Sequence, residues 1–334
     1  MATAGLVGRA RMKTAGIVVC CLVGALLPLW LSPSQTRIFT EMLYLSLFAI
    51  SFCFLFSYLG LLSFGHNLCF GLSAYAVAIY FNWNPDGSLW IAFLIAIGVA
   101  VAASTLSGLL LMRLSGGYFA LMTMAICQLA FFVASKWRAV TRGEDGLMMS
   151  TPQITIPGVS NGAVSQTVLL CWVALAVLVF GAGLLAWYLR TPLGRATILL
   201  RENESRAAFL GYDTRVVKLA AFNVSGIAAG LAGALYAIYQ GFVSPVALGF
   251  GLSGDVIMMT LIGGSGSFLG PAIGAAVYTG LEDVLPGFTS HPRFVIAVIF
   301  VALVLFVPAG ISGVLSRIQR CRYRQAPIQG EVPA

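Results

Sequence analysis

The sequence predicts an all-α polytopic membrane protein with about ten transmembrane or partly re-entrant helices. Hydrophobic residues make up 59 % of the 334 residues and charged residues only 9 %, against roughly 25 % charged residues in a soluble domain. So few charges could not cover a soluble fold of this size, whereas lipid solvates apolar helix faces directly. The 37 glycines fit the same class, because glycine is frequent where membrane helices pack closely.

Ten apolar segments follow one another along the chain, and each is a candidate membrane helix. They cover residues 15–31, 38–59, 66–81, 89–112, 117–135, 167–189, 218–240, 252–263, 270–285 and 294–308. A full crossing needs about 20 residues, so 252–263 and 270–285 are expected to form either two short tilted helices or a re-entrant pair. The first segment follows three basic residues, as a signal peptide would, but residues 27–33 lack small residues for cleavage. We therefore expect a retained helix.

The distribution of lysine and arginine orients these segments. With ten crossings and both termini in the cytoplasm, the cytoplasmic pieces hold 14 of the 19 basic residues and the outer pieces hold 5. This asymmetry satisfies the positive-inside rule, which the opposite orientation would violate. The net charge of +8 therefore reflects topology, and the scatter of basic residues over loops argues against a nucleic-acid-binding surface.

A charged stretch between two apolar segments is the most informative feature of the chain. Six basic and three acidic residues lie within residues 190–218. Thr191 and Pro192 form a helix-start signal, Gly211 suits the left-handed position after a helix, and Asp213 can cap the helix that follows. The stretch is either an ordinary cytoplasmic loop or a short amphipathic docking helix for a soluble partner.

The residue spacing within this stretch predicts one continuous helix. Apolar residues recur at intervals of three, four and seven, which would place on one stripe Ala196, Leu199, Leu200, Ala207 and Leu210. Glu202 precedes Arg206 by four residues, the better order for a helical ion pair. The chain has no Gly-x-x-x-x-Gly-Lys-Ser/Thr phosphate-binding loop, so nucleotide-driven transport would need ATPase subunits on separate chains.

Glycine clusters mark two places where helices break. Gly60-Leu-Leu-Ser-Phe-Gly-His66 separates the second and third segments, and Gly263-Gly-Ser-Gly-Ser-Phe-Leu-Gly-Pro271 separates the two short ones. Glycines of this kind serve helix packing or, where unwound backbone faces a water-filled cavity, a transport pathway. Candidate residues for a pathway lining are therefore Gly60, Ser63, Gly65, His66, Gly263, Gly264, Gly266 and Gly270.

Ionisable residues in or beside the apolar segments are few. They are Glu41, His66, Asp255, Glu282 and Asp283, with the acids near the outer boundary and His66 near the inner one. Because no carboxylate is clearly deep, a proton- or sodium-coupled carrier finds little support. The sequence shows no metal-ligand cluster and no nucleophile elbow, so we predict no catalytic residue, no metal site and no enzymatic activity on this chain.

Motifs spread over about residues 40 to 313 resemble the larger permease type of the bacterial high-affinity branched-chain amino acid ABC transporter family. The stretches that carry the resemblance are residues 60–66 with Phe70-Gly71, Arg113-Leu-Ser-Gly-Gly-Tyr-Phe-Ala-Leu-Met-Thr-Met-Ala125, Thr141-Arg-Gly-Glu-Asp-Gly-Leu147, Pro192-Leu-Gly-Arg195, Arg201-Glu-Asn-Glu204, residues 263–271 and Pro308-Ala-Gly-Ile-Ser-Gly313. Each motif alone is weak, but their order and spacing together are specific. Arg142 departs from the family pattern, which resembles Thr-Gly-Gly-x-Asp-Gly-Leu at this point.

The resemblance implies the permease subunit of an ATP-driven importer in the bacterial inner membrane, carrying branched-chain or related amino acids. Its implied partners are a second related permease subunit, two ATPase subunits that hold ATP and Mg, and a periplasmic substrate-binding protein; no cofactor is expected on this chain. The implied ATPase contact falls on Gly194, Arg195, Arg201, Glu202, Asn203, Glu204, Ala207 and Gly211. Urea, short amides or aromatic acids are alternative substrates, and an ion-coupled secondary transporter is the alternative from another class.

The expected organisation has one membrane domain between two cytoplasmic tails. The tails cover residues 1–14 and 314–334, and the transmembrane permease domain covers residues 15–313. Within that domain, 190–217 is the cytoplasmic coupling segment, and 136–166 is a periplasmic loop suited to docking of the binding protein.

Overall fold

The computed structural model describes residues 23–149, 165–306 and 310–313. Both expected tails, the start of the first apolar segment, residues 150–164 of the expected periplasmic loop and Pro308 lie outside these residues. Within the described residues the chain is helical almost throughout, and two strands of two residues each are its only paired strands. The predicted all-α polytopic class is therefore confirmed.

The described helices coincide with the apolar segments to within a few residues. Residues 23–30 are helical and are followed by α1 (Pro33–Phe54, continued by a π-helix over Leu55–Leu59), α2 (Asn67–Trp83), α3 (Leu89–Leu111), α4 (Gly116–Lys136), α5 (Arg138–Thr141), α6 (Gln166–Arg190), α7 (Pro192–Glu202), α8 (Glu204–Phe209), α9 (Thr214–Gln240), α10 (Phe250–Gly263), α11 (Gly270–Val284) and α12 (Pro292–Phe306). The strands are β1 (Leu147–Met148) and β2 (Phe242–Val243).

Six helices in the described part of the chain are long and apolar enough to cross a membrane, namely Pro33–Leu59, Leu89–Leu111, Gly116–Lys136, Gln166–Arg190, Thr214–Gln240 and Pro292–Gly313. Helices α10 and α11 have 14 and 15 residues. At a rise of 1.5 Å per residue each extends about 22 Å, which is less than the roughly 30 Å of a hydrocarbon core. The two form an antiparallel hairpin packed along α1, as Tyr278 opposite Asp255 and Gly274 opposite Met259 demonstrate.

The start of α1 is specified by local sequence. Ser32 Oγ accepts a hydrogen bond from the backbone N–H of Gln35 at 3.4 Å, and the Gln35 side chain accepts one from the Ser32 N–H at 3.1 Å. This reciprocal capping box satisfies two backbone donors that the first turn of a helix leaves free. Pro33 occupies the first helical position, where its missing N–H costs nothing.

Two helices form the centre of the molecule. The apolar window of the span Pro33–Leu59 is 83 % buried and that of Thr214–Gln240 is 78 % buried, whereas the windows of α3, α4 and α6 are only 33 %, 28 % and 28 % buried. The outer helices therefore turn most of their apolar surface away from the protein, as lipid-facing helices do. The central pair is enclosed by protein on nearly all sides.

Helix α9 reaches its neighbours through small residues. A Cβ added at Gly230 would lie 2.5 Å from the Cβ of Ala100 on α3, and one added at Gly233 would lie 2.0 Å from the carbonyl oxygen of Phe70 on α2. Ala96 and Ala100 on the facing side of α3 are fully buried. Small residues three and four positions apart thus bring three helix backbones together.

The connections between helices gather at two ends of the bundle. At one end, β1 pairs with β2 in antiparallel register, with Leu147 opposite Val243. At the other end lie α7 and α8, next to the π-helix Leu55–Leu59 and the α10–α11 turn. We call this second end the coupling end.

Candidate functional site

The coupling segment begins with α7, whose start is built as the residue pattern predicts. Thr191 caps the helix by accepting a hydrogen bond from the Gly194 N–H at 3.2 Å, and Pro192 follows it. Tyr188 at the end of α6 lies with its hydroxyl 3.1 Å from that of Thr197, and both are buried. A Cβ added at Gly194 would lie 2.1 Å from the Tyr188 carbonyl oxygen, so only glycine permits this close approach.

The coupling segment then departs from the predicted single helix. Helix α7 ends at Glu202, and Asn203 caps a second short helix, α8, by accepting from the Arg206 N–H at 2.9 Å. Because the chain breaks between them, Glu202 and Arg206 do not form the predicted ion pair. Instead, Glu204 pairs with Lys218 at 2.6 Å, and the Lys218 side chain is 6 % exposed. This contact ties the short helix to α9 across the turn.

The turn from α8 into α9 follows the expected pattern. Gly211 has φ +86°, the left-handed conformation that favours glycine. Asp213 accepts hydrogen bonds from the N–H groups of Arg215 and Val216 at 3.0 and 3.3 Å and so caps α9.

One part of the apolar stripe of the coupling segment is buried, and its end is exposed. Ala196, Leu200 and Ala207 pack with Val217 in a small cluster of their own. Leu210, the last residue of the predicted stripe, is instead 65 % exposed, and its neighbour Phe209 is 90 % exposed. The break at Asn203 thus turns the end of the stripe outward.

Arg201 points away from that exposed side, toward the membrane domain. Its Nη1 donates a hydrogen bond to the carbonyl oxygen of Ser57, which lies in the π-helix at the end of α1. Gly60 follows with φ +76°, and a Cβ added there would lie 3.1 Å from Cγ of Arg201. The coupling segment therefore rests directly on the first predicted helix break.

The second predicted break contacts the same residue, Ser57. Ser57 Oγ donates to the carbonyl oxygen of Ser265 at 2.8 Å, and Cys53 Sγ lies 3.3 Å from Ser57 Oγ. We call Ser57, Gly60, Arg201 and Ser265 the coupling junction. Three regions distant in sequence, namely the coupling segment and the two glycine-bearing breaks, converge at this junction.

The glycines of the second break are placed in two different ways. A Cβ added at Gly263 would lie 2.0 Å from the Gly270 carbonyl oxygen, and one added at Gly274 would lie 1.8 Å from that of Met259. These residues bring α10 and α11 into backbone contact, as Gly264 does with Gly310. Gly266 has no atom within 4 Å of an added Cβ and faces open space.

The first break runs through the interior of the bundle. A Cβ added at Gly65 would lie 2.0 Å from the Thr123 carbonyl oxygen in the first half of α4. His66 is 3 % exposed, with Nε2 2.8 Å from Ser51 Oγ and its ring stacked on Phe48. Ser51 and Phe48 belong to the half of α1 nearer the coupling end, and the expected place of His66 near the inner boundary stays a prediction. Ser63 is 1 % exposed.

Ser63 Oγ is also one of the few polar atoms that the described residues leave buried without a hydrogen-bond partner. An unpaired buried hydroxyl is costly and calls for an explanation such as a water molecule or a ligand. Among the predicted pathway residues, this gives Ser63 a free polar group at membrane depth.

A third irregular segment, residues 241–249, was not predicted. It contains β2 and a 3₁₀ turn over Pro245–Leu248, and it enters the bundle from the end opposite the coupling end. Asn67 joins it to the first break: its Nδ2 donates to the Gly249 carbonyl at 2.8 Å, and its Oδ1 accepts from Ser253 at 2.5 Å and from Cys127 at 3.2 Å. Pro245 and Gly249 between two apolar segments were the available signals.

Glu41 on α1 and Asp255 on the hairpin are two of the half-buried acidic residues. Glu41 accepts a hydrogen bond from Tyr44 at 3.1 Å, and Asp255 accepts one from Tyr278 at 2.8 Å. Each carboxylate is therefore held by a neighbouring tyrosine hydroxyl. Neither belongs to the coupling junction.

The loop after α4 forms an ordered turn in its described part. Arg142 has φ +59° and is the one non-glycine residue with positive φ among the described residues. Thr141 fixes the turn by donating to the Ala134 carbonyl at 2.6 Å. A left-handed backbone favours glycine, and arginine adopts it at some cost in strain.

Comparison with known proteins adds a family to this geometry. Residues 35–308 match the family model described as branched-chain amino acid transport system / permease component. The high-affinity branched-chain amino acid transport system permease protein LivM of Escherichia coli (strain K12) is 28 % identical over 272 residues, which is 75 % of this chain and 64 % of that protein. LivM of Salmonella typhimurium has the same identity and coverage. The chain thus spans less than two thirds of the length of these relatives.

A more distant likeness covers a shorter stretch. The autoinducer 2 import system permease protein LsrC of Escherichia coli (strain SMS-3-5 / SECEC) is 33 % identical over 120 residues, 34 % of each chain. No solved structure matches the chain. Since the family model covers most of the chain, and since the six long apolar helices among the described residues fit a multi-pass permease, this protein belongs to the branched-chain amino acid transport system / permease component family.

Proposed function

We propose that this chain is the membrane permease subunit of an ATP-driven ABC importer that carries branched-chain or related amino acids across the bacterial inner membrane. The observation that carries the proposal is the coupling junction, where α7 meets both interrupted regions of the membrane domain. The proposed partners are two ATPase subunits, which would bring ATP and Mg, a second permease subunit and a periplasmic binding protein. Both termini are proposed to be cytoplasmic.

The exposed side of the coupling segment supports docking of a soluble subunit. Phe209 and Leu210 are 90 % and 65 % exposed, beside the exposed charged residues Glu202 and Arg206. Apolar side chains that protrude from a charged segment with a polar rim are typical of a protein interaction site. An ATPase subunit that carries an apolar groove would cover them.

The proposed pathway lies where the first break meets the 241–249 segment. Non-helical backbone at membrane depth is tolerated only where protein buries it or a water-filled cavity faces it. The interruptions enter from opposite ends and meet at Asn67, a geometry that transporters use for sites near the bilayer midplane. The second permease subunit would complete this pathway.

Substrate choice is proposed to lie mainly with the binding protein. ATP can shift the permease between two states only through a difference in affinity for them, so the permease needs no strong substrate site of its own. Relatives named for branched-chain amino acids and for autoinducer 2 are consistent with one permease architecture serving different substrates. Urea, short amides and aromatic acids are therefore kept as alternative substrates.

The proposal is tested by reconstitution in liposomes. The chain is reconstituted with its two ATPases, the second permease and the binding protein. Uptake of radiolabelled leucine is then measured with ATP inside the liposomes, with ATP outside them, and without ATP. We expect uptake that requires both ATP on the ATPase side and the binding protein on the other. Uptake by the chain alone under a proton or sodium gradient would instead identify an ion-coupled carrier and overturn the proposal.

The docking surface is tested with two matched variants. Phe209→Ala removes the exposed ring at the coupling end, whereas Phe288→Ala removes a ring that is 84 % exposed at the opposite end. We expect Phe209→Ala to reduce the amount of ATPase that co-purifies with the permease, because a buried interface aromatic is worth about 2 kcal/mol or more. Equal co-purification from both variants would count against docking at this surface.

A further inference from the structure

We infer that Arg201 is a positioning residue that transmits movement of the coupling segment to the end of α1, and that it is not a docking contact for the ATPase. The inference rests on the proposed function and deepens it. It divides the coupling segment into an outer side that binds the partner and one inward side chain that holds the membrane domain.

The first argument is the chemistry of the Arg201 contact. The last carbonyl groups of a helix have no partner within the helix and carry its negative dipole end. Ser57 lies within the last three residues of the continuous span Pro33–Leu59, and the Arg201 guanidinium donates to its carbonyl oxygen. A guanidinium at this position makes a charge-assisted hydrogen bond and complements the dipole, so the pair holds the two helices at a defined distance.

The second argument is what lies around Ser57. Residues Leu55–Leu59 form a π-helix, a local irregularity that is frequent at functional sites. Gly60 directly after it is left-handed and packs against the stem of Arg201. Displacement of Arg201 would therefore act on the residues where α1 ends and the interior break begins.

The third argument is the continuation of the chain of contacts. The hydroxyl of Ser57 donates to Ser265, 208 residues further along the sequence. Gly264, next to it, accepts a hydrogen bond from Ser312 at 3.4 Å. A single side chain of the coupling segment is thus connected, through one serine, to the turn of the α10–α11 hairpin.

The fourth argument is the contrast with the neighbours of Arg201. All three residues are exposed, but the side chains of Glu202 and Arg206 form no ion pair or hydrogen bond with the described residues. They remain free to meet a partner, whereas the Arg201 guanidinium is already engaged. Arg206 is therefore the matched control for Arg201, since it has the same charge and lies on the same segment.

The experiment uses the full transporter in proteoliposomes with the variants Arg201→Gln, Arg201→Lys and Arg206→Gln. We expect Arg201→Gln to retain its ATPase subunits and to hydrolyse ATP, while uptake per ATP hydrolysed falls at least tenfold. Arg201→Lys should restore part of the coupling, because an ammonium can donate to the same carbonyl. Arg206→Gln should weaken ATPase binding and leave the ratio of uptake to hydrolysis unchanged.

Two outcomes would overturn the inference. Loss of the ATPase subunits from Arg201→Gln would make Arg201 a docking residue, and normal uptake per ATP would make its contact with Ser57 irrelevant to coupling. Failure of the wild-type complex to show ATP-dependent uptake would be a failure of the proposed function instead.

A measurement on the chain alone keeps the inference testable in every case. Hydrogen exchange of the purified permease in detergent reports the opening of the backbone at residues 59–62. We expect Arg201→Gln to accelerate exchange there at least fivefold and Arg206→Gln to leave it unchanged. Ser57→Ala, which removes the hydrogen bond to Ser265 without altering the coupling segment, should accelerate exchange at residues 264–268. Unchanged exchange in both Arg201→Gln and Ser57→Ala would refute the connection from Arg201 through Ser57 to Ser265.

Discussion

The two glycine-bearing breaks, residues 60–66 and 263–271, have similar compositions but different structures. At the second break, glycines bring α10 and α11 into close contact, because a Cβ added at Gly263 or Gly274 would overlap with backbone atoms. In the first, the chain leaves the π-helix and travels through the bundle interior, carrying a buried hydroxyl at Ser63 that has no partner in the described residues. Glycine in a membrane segment can therefore mark a helix contact or an unwound backbone, and composition alone does not separate them.

A four-residue spacing of glycines distinguishes the helix contact from the unwound backbone. Gly266, Gly270 and Gly274 recur every four residues, and Gly270 and Gly274 belong to the contact face of a helix. Gly60 and Gly65 have no such spacing, and Gly60 instead has φ +76°. Four substitutions test this difference between the two breaks.

The largest effect is expected at the helix contact of the second break. Gly274→Ala would place a methyl group 1.8 Å from the Met259 carbonyl oxygen, so the hairpin must open, at a cost of about 3 kcal/mol or more. The measurement is the melting temperature in detergent, with Gly266→Ala as the control because its Cβ would meet no atom within 4 Å. If both variants have the same melting temperature, the close contact between α10 and α11 is wrong.

A second effect is expected where the two interior segments meet. Asn67→Ala leaves the Gly249 carbonyl and the Ser253 hydroxyl without their partner, which should destabilise the fold by about 1–3 kcal/mol. Asn84→Ala, in an exposed position after α2, should change stability by less than about 0.5 kcal/mol. Thermal unfolding followed by size-exclusion chromatography compares them, and equal midpoints would contradict the joining role of Asn67.

A smaller effect is expected at the start of the first break. Gly60→Ala forces a Cβ into a left-handed conformation at about 1 kcal/mol and presses it against Arg201. Gly183→Ala, with no atom near the added Cβ, is the control. The measurement is stability together with uptake: Gly60→Ala should lower both, and a variant with wild-type uptake would show that this turn is not needed for coupling.

The smallest change in stability is expected at Ser63. Ser63→Ala removes a buried hydroxyl that has no partner in the described residues, so the melting temperature should stay the same or rise slightly, while uptake falls if the hydroxyl faces the pathway. Ser73→Ala removes a hydroxyl that donates to the Ala96 carbonyl at 3.0 Å and should cost about 1 kcal/mol. A clear loss of stability in Ser63→Ala with unchanged uptake would assign Ser63 to packing.

Much of the fold could be predicted because apolar length is a strong signal in membrane proteins. The segment predicted at 89–112 is Leu89–Leu111, and that at 167–189 is Gln166–Arg190. The caps at Thr191 and Asp213 were also readable, since each depends on its immediate neighbours. The helix pattern across Asn203 was misleading, because the break there is stabilised by Lys218, which bonds Glu204 from the next helix.

The coupling junction could be predicted only in part. Its members were named among the candidate residues or lie beside them, but nothing local indicates that Arg201 turns toward Ser57, 144 residues away. Likewise, Asn67 is a single polar residue in an apolar run, and its three partners come from two other parts of the chain. Whether the named residues line a transport pathway stays a prediction.

The enclosure of α1 has a consequence for how the protein is made. Its most extensive contacts are with α6, α9, α10 and α11, all of which lie beyond residue 165, whereas His66 and Phe70 are earlier partners. A chain synthesised from its N-terminus must therefore insert this central helix early and leave most of its contact surface beside lipid until more than a hundred further residues have emerged. Ser46 and Ser51, both buried in the folded protein, donate hydrogen bonds to carbonyls of their own helix. Because of these bonds, α1 has no unsatisfied serine hydroxyls at these positions while it lies in the bilayer without its later partners.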